Sequence, residues 1–171
     1  MNDRETVAIP SLQDAREDML VIPVDLTEWV DGCQLMEWVE EEVRGLDWEN
    51  PEVQRVLQQH PEFRPKVLLN LLTYAYATGV FGKDEIVRRC YSETVYRLLS
   101  EGQAPDPHEL NQFRREHRGL LRGLLYQILV RALRHKHVGD AWLPPGLKRY
   151  LLDNAMERLT LARHVDTVEE E

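Results

Sequence analysis

Apolar residues recur at helical spacing along most of the chain, and this periodicity limits the fold more than any other feature of the sequence. The run VLLNLLTYAYATGVF at 67–81 is apolar on nearly every side of a helix, which is typical of a central buried helix. The one β-like run, LVIPV at 20–24, contains Pro23 and suits only an edge strand or an extended segment. The pattern therefore predicts an all-α, compact multi-helix domain.

The length of 171 residues suits one globular unit, since typical domains hold about 100 to 150 residues. Within it we distinguish an acidic N-terminal helical segment (1–60), a helical core (61–138), and a C-terminal helix with an acidic tail (139–171). The longest apolar run is too short to span a bilayer, and the N-terminus lacks a basic region followed by an apolar one. We therefore predict a cytoplasmic protein without membrane contact.

The charges are divided unevenly along the chain. Residues 1–60 hold fifteen Asp and Glu against four Lys and Arg, whereas residues 83–149 hold thirteen Lys and Arg against eight Asp and Glu. The formal net charge of −9 thus conceals a basic middle region. The acidic segment can repel DNA or bind a basic protein partner.

The stretch PDPHELNQFRREHRGLL (105–121) predicts a helix with one polar stripe. Asp106 is the expected N-cap, Pro107 the first helical residue and Glu109 the acid that completes a capping box. On a straight helix, hydrogen-bonding side chains share a stripe about 100° wide with Gly119. Its polar members are His108, Asn111, Gln112, Arg115 and Arg122, flanked by Arg118; the opposite, apolar side holds Leu110, Phe113, His117, Leu120, Leu121 and Leu124.

Two interpretations of this stripe stay open. Asn and Gln pair with adenine, and Arg pairs with guanine or phosphate, so the stripe is typical of a DNA-reading helix. A solvated helix face produces the same pattern. Arg114 lies beside the apolar side, which predicts an internal ion pair with an acid that the sequence does not name.

Several motifs between Arg64 and Lys136 follow one another in a recognisable order: LLNLLTYAYATGVF, IVRRC, YRLLSEGQAPD and LNQFRREH. This region resembles the N-terminal helical domain of InsH-like insertion-sequence transposases of the DDE class. The matching positions are Tyr76 to Val80, Cys90, Leu99 to Gly102, Pro105 and Asp106, and Phe113 and Arg114. The resemblance implies double-stranded DNA as partner and a structural role for Cys90.

The chain departs from the family in three ways. Gly82, Lys83 and Asp84 stand where the family usually has a Ser-Ser-Arg-like start, Leu98 replaces an aromatic residue, and Pro107 replaces a histidine. Where the family's catalytic part opens with an Asp-Gly-Thr-like segment and carboxylates for two metal ions, this chain has HKHVGDAWLPPG and one more helix. We therefore expect a domain without the transposase's catalytic part.

Signals for other chemistry are weak. The consecutive acids Glu40 to Glu42 point in different directions, and His135 and His137 near a helix end are typical of surface residues. The sequence contains no G-x-S-x-G, Walker or G-x-G-x-x-G motif. Cys33 and Cys90 are expected to be small buried residues. We predict no catalytic residue, no metal and no cofactor.

Two functions remain. The first is a non-catalytic, transposase-derived DNA-binding protein with a helix-turn-helix-like element around residues 83–118. Its proposed DNA contacts are His108, Asn111, Gln112, Arg115, Arg118 and Arg122, together with Lys83, Arg88 and Arg89, while Asp106, Phe113, Arg114 and Cys90 are structural. The second is a helical protein–protein adaptor that no longer binds DNA. Local charge and the resemblance favour the first and net charge favours the second; a homodimer stays open.

Overall fold

The regular structure is helical throughout the described parts of the chain, which are residues 20–59, 65–139 and 142–170 of a computed structural model. The all-α prediction is confirmed. Eight α-helices are described: α1 (Gly32–Arg44), α2 (Pro51–Gln59), α3 (Pro65–Ala77), α4 (Lys83–Ser92), α5 (Thr94–Leu99), α6 (Pro107–Glu116), α7 (Arg118–Leu133) and α8 (Pro145–Glu169). A 3-10 helix (Leu26–Glu28) precedes α1, and a π-helical turn (Arg134–Val138) follows α7. Residues 1–19 of the predicted acidic segment, the expected helix start at Arg64, and Asp140 lie outside the described residues.

Helix α3 is the centre of the fold. Nine of its thirteen residues are buried, and it packs against α1, α5, α6, α7 and α8. It ends because Gly79 adopts φ 78°, a left-handed conformation that glycine accepts without strain, and Val80 N donates to Ala75 O at 2.9 Å. A helix that buries nearly its whole surface matches the apolar run that predicted it.

The start of α6 follows the predicted local signals. The Asp106 carboxylate accepts a hydrogen bond from His108 N at 2.8 Å, and the Glu109 carboxylate accepts from Asp106 N at 3.4 Å, which together form a capping box. Pro107 occupies the first helical position. Phe113, on the predicted apolar side, is fully buried.

The single helix predicted over residues 105–121 is wrong, because α6 ends at Glu116 and α7 begins at Arg118. The helix is interrupted at His117, whose φ of −122° and ψ of 32° lie outside the α-helical region. The His117 ring is buried and lies edge-on to Phe113 at 4.7 Å between ring centroids. Because α6 ends at this point, Arg118 and Arg122 belong to a different helix from Arg115.

Arg158 on α8 fastens the extended segment 20–25 to the end of α3, a role that the sequence did not suggest. Its buried guanidinium donates to four main-chain carbonyls: Pro23 (2.7 Å), Val24 (2.6 Å), Tyr76 (2.8 Å) and Ala77 (3.2 Å). A fifth hydrogen bond, to Asn154 Oδ1 at 2.8 Å, orients the guanidinium within α8. The predicted β-like run is thus an extended segment held by a side chain.

The two cysteines differ in exposure. Cys90 is buried, as expected, whereas Cys33 is exposed at the start of α1, so its assignment as a buried residue is wrong. Burial raises the pKa of the Cys90 thiol, which keeps it protonated and unreactive near neutral pH. Among the described helices, none is both long enough and apolar enough to cross a membrane.

Candidate nucleic-acid interface

The exposed part of the predicted stripe on α6 consists of His108, Gln112 and Arg115. The Arg115 side chain is 61% exposed, and Gln112 Nε2 donates to Glu116 Oε1 at 2.8 Å on the surface of the same helix. These three side chains lie on the solvent side of α6, where an anionic ligand can reach them.

Asn111 is not available for contact with DNA, which corrects its assignment as a reading residue. Its side chain is 2% exposed, and its Nδ2 donates to Glu170 Oε1 at 2.8 Å. Its Oδ1 accepts from Arg114 Nη2 at 2.5 Å. The end of α8 covers this position, so the amide is used within the molecule.

Lys83 also faces inward, which corrects its assignment as a DNA contact. The residue is 9% exposed, and its Nζ donates to Asp166 O at 3.2 Å. The ammonium also lies 3.7 Å from Glu169 Oε2 and 3.9 Å from Glu170 Oε1. Its charge is therefore neutralised by the acidic end of α8.

Asp166 is the acid that pairs with Arg114. The position of Arg114 beside the apolar side predicted such an ion pair but did not identify the acid. Arg114 Nε donates to Asp166 Oδ2 at 3.1 Å, and both side chains are 3% exposed. Asp166 Oδ1 accepts from Lys83 N at 2.9 Å, at the first residue of α4, where main-chain N–H groups lack partners within the helix. One buried carboxylate thus joins α8 to α4 and α6.

Arg88 and Arg89 on α4 are paired with acids of their own region. Glu85 accepts from Arg88 Nε at 2.8 Å and from Arg89 Nε at 2.9 Å, and these hydrogen bonds lower the pKa of the Glu85 carboxyl to about 2. Arg89 also lies 3.2 Å from Glu93. The Arg88 side chain remains 67% exposed, but its charge is offset by a carboxylate 2.6 Å away.

Arg118 and Arg122 at the start of α7 lie beside Arg163 of α8. Arg118 Nη2 donates to Thr160 Oγ1 at 3.1 Å, a bond that ties the start of α7 to α8. Burial, followed by the positive charges of Arg163, Arg114 and Arg122, lowers the pKa of Arg118. Within the described part of the chain, no carboxylate forms an ion pair with Arg122 or Arg163.

We use the name arginine surface for Arg118, for Arg122 and Arg163, whose charges act on it, and for the exposed Arg115 near the end of α6. Two acids border it. Glu170 Oε2 lies 3.8 Å from Arg115. Glu52 of α2 lies against the start of α7, since its Oε1 would be 3.1 Å from a Cβ atom placed on Gly119. The surface is therefore positive but limited in extent.

The histidines considered as metal ligands make aromatic contacts instead. His135 lies edge-on to Trp38 at 5.6 Å, and His137 lies edge-on to Trp29 at 5.2 Å between ring centroids. Burial, and then the charge of Lys136, lowers the pKa of His137. Across residues 20–59, 65–139 and 142–170, no three His, Cys, Asp or Glu side chains form a group suited to a metal ion.

Sequence reasoning missed Arg158, Asp166, Glu170 and Arg163. Asp166 and Arg158 carried a usable signal, because both fall on the apolar stripe of α8 that includes Ala155 and Ala162, where a charged residue indicates a buried partner. Glu170 and Arg163 carried none, since each is an ordinary surface charge in the helical pattern.

Comparison of the chain with protein-family models, curated proteins and solved structures gave no match.

Proposed function

We propose that the chain is a non-catalytic, transposase-derived protein that binds duplex DNA through the arginine surface. The observation that carries this proposal is the position of Arg118, Arg122 and Arg163, which stand together across two helices while the described residues offer Arg122 and Arg163 no carboxylate partner. Guanidinium groups match phosphate oxygens in shape and charge, so such a cluster suits the sugar-phosphate backbone.

The mode of binding that we propose is contact with phosphates, with little reading of bases. Asn111 and Lys83 are engaged inside the molecule, and Gln112 is the one amide of the stripe that remains exposed. Phosphate contacts supply affinity but carry no sequence information directly. The helix-turn-helix-like element around 83–118 stays part of this proposal: α4 and α6 are in contact, with α5 and a loop between them.

Fluorescence anisotropy of a labelled duplex across a salt series tests the proposal. We expect affinity to fall steeply with salt, because each neutralised phosphate releases counterions. The double variant Arg115→Glu, Arg122→Glu should lower affinity and reduce the slope of log K against log salt by about 2, one unit for each lost contact.

A matched control is the double variant Arg97→Glu, Arg134→Glu, which makes the same charge change at exposed positions of α5 and the π-helical turn. This control should keep the salt slope of the unaltered protein. Equal effects of the two double variants would mean that net charge alone governs binding and would refute the arginine surface as the interface.

A helical protein–protein adaptor is the second candidate, and the covering of Asn111 by Glu170 favours it. The net charge of −9 also disfavours DNA. This candidate predicts no DNA binding at about 100 mM salt, where binding through phosphates still operates. It also predicts self-association by light scattering, or a stable complex recovered with a protein partner, that persists in the Arg115→Glu, Arg122→Glu variant.

A further inference from the structure

The carboxylate of Glu170 lies among three hydrogen-bond donors from two other helices. Asn111 Nδ2 donates to its Oε1 at 2.8 Å, Lys83 Nζ lies 3.9 Å from the same oxygen, and Arg115 Nη2 lies 3.8 Å from Oε2. An amide, an ammonium and a guanidinium around one carboxylate form an arrangement that suits an anion bearing several oxygens, and the Lys83 ammonium also lies 3.7 Å from Glu169 Oε2.

The two inner donors are held in place by contacts that do not involve Glu170. Lys83 is 9% exposed and its Nζ donates to Asp166 O at 3.2 Å, while Asn111 is 2% exposed and its Oδ1 accepts from Arg114. The buried Arg114–Asp166 ion pair lies behind both of them. The donors therefore keep their positions when the carboxylate leaves, which is what an organised binding site requires.

Glu170 is the least firmly held member of the group. It is the residue after the end of α8, and its side chain is 46% exposed. The last turn of a helix frays at low cost, since its final carbonyls have no partner within the helix. Release of this one carboxylate requires no unfolding of the rest of α8.

We propose that Lys83, Asn111 and Arg115 form a binding site for a phosphate-class oxyanion, and that Glu170 occupies this site as an internal carboxylate. Lys83 and Asn111 face inward, so the site suits a small free oxyanion such as inorganic phosphate, and it is separate from the DNA contact proposed for the arginine surface. Of the three donors, Arg115 is the most exposed, with 61% of its side chain accessible.

Titration with inorganic phosphate, followed by NMR of the Asn111 side-chain amide, tests the site in the full chain. In Glu170→Ala the amide signal should shift with added phosphate. In the unaltered protein the same shift should need about fivefold more phosphate, which corresponds to about 1 kcal/mol for displacing an exposed carboxylate. Asp153→Ala, at an exposed position of α8, makes the same charge change and should behave like the unaltered protein.

A second variant tests whether Arg115 is one of the donors. Adding Arg115→Ala to Glu170→Ala removes one exposed donor and should weaken phosphate binding again. Identical titrations for Glu170→Ala and the unaltered protein, or no shift at Asn111 in either, would overturn the site.

The DNA measurement separates this inference from the proposed function. If Glu170→Ala binds phosphate while no variant binds DNA, the site stands and the proposed DNA function fails. If the unaltered protein binds DNA through the arginine surface while the phosphate titrations are identical, the proposed function stands and the site fails.

Discussion

Replacing Arg158 with methionine, which keeps side-chain size, should destabilise the protein. Methionine fills a similar space but donates no hydrogen bond. The change leaves four carbonyls without their donor, and two of these belong to the buried end of α3 at Tyr76 and Ala77. It also releases the hydrogen bonds that hold Pro23 and Val24.

The magnitude follows from two opposing effects. A buried acceptor that loses its partner costs about 1 to 3 kcal/mol, so the two carbonyls of α3 set an upper range of roughly 2 to 6 kcal/mol. The loss lies in the lower half of that range, because Tyr76 O also accepts a long hydrogen bond from Gly79 N at 3.5 Å. Removing the guanidinium relieves the cost of burying its charge, a cost reflected in the pKa of Arg158, which burial lowers to about 10. The group is still charged near neutral pH. We expect a net loss of about 3 kcal/mol, or roughly 6 to 12 °C in Tm.

Urea unfolding followed by circular dichroism measures this loss. Arg158→Lys keeps the charge but has one nitrogen and reaches fewer carbonyls, so its free energy of unfolding should lie between those of Arg158→Met and the unaltered protein. Arg149→Met, at an exposed position of the same helix, is the matched control and should change little. A loss below about 1 kcal/mol for Arg158→Met would refute the reasoning, since it is less than one unsatisfied buried carbonyl costs.

Two further predictions concern the charged groups that join the helices. Asp166→Ala should cost about 3 to 5 kcal/mol in urea unfolding, because it leaves the buried guanidinium of Arg114 without a counter-charge. The double variant Arg114→Met, Asp166→Leu removes the unpaired charge and should recover part of that loss, while Lys83 N and Asn111 Oδ1 still lack their partners. A double variant as unstable as Asp166→Ala would contradict this account. The pKa of Glu85 is lowered in the folded protein from 4.5 to about 2, so the stability that its pairing with Arg88 and Arg89 contributes is present above about pH 4.5 and is lost as the pH falls toward 2. Unfolding of Glu85→Gln and of the unaltered protein should therefore differ near neutral pH and converge in acid; a difference that does not change with pH would refute the pairing.

The sequence correctly predicted the features that depend on neighbouring residues or on overall hydrophobicity. The buried helix α3 followed from its continuous apolar composition, and the start of α6 followed from three residues that cap one another within a single turn. Burial of Arg114 followed from its position at the edge of an apolar stripe. In each of these cases the deciding contacts lie within a few residues, or depend only on how hydrophobic the surroundings are.

The predictions were wrong where contacts between residues far apart in the sequence determine whether a side chain is exposed. The sequence predicted Asn111 and Lys83 to be surface donors. In the structure they are covered by the end of α8, which lies some sixty to eighty positions later in the sequence. The break falls at His117, which is itself neither glycine nor proline, and it places Arg118 and Arg122 on a different helix from Arg115. Arg158 and Asp166 could have been suspected from the stripe of α8, but their partners could not have been named.

The bonds made by Arg158 set an order for how the protein is made. They join residues 134 and 135 positions apart, and a ribosome adding about 5 to 20 residues per second needs roughly 7 to 27 s to pass from Val24 to Arg158. During that interval the segment 20–25 has been made but the side chain that holds it has not. This early segment is therefore secured only after α8 has been synthesised as far as Arg158.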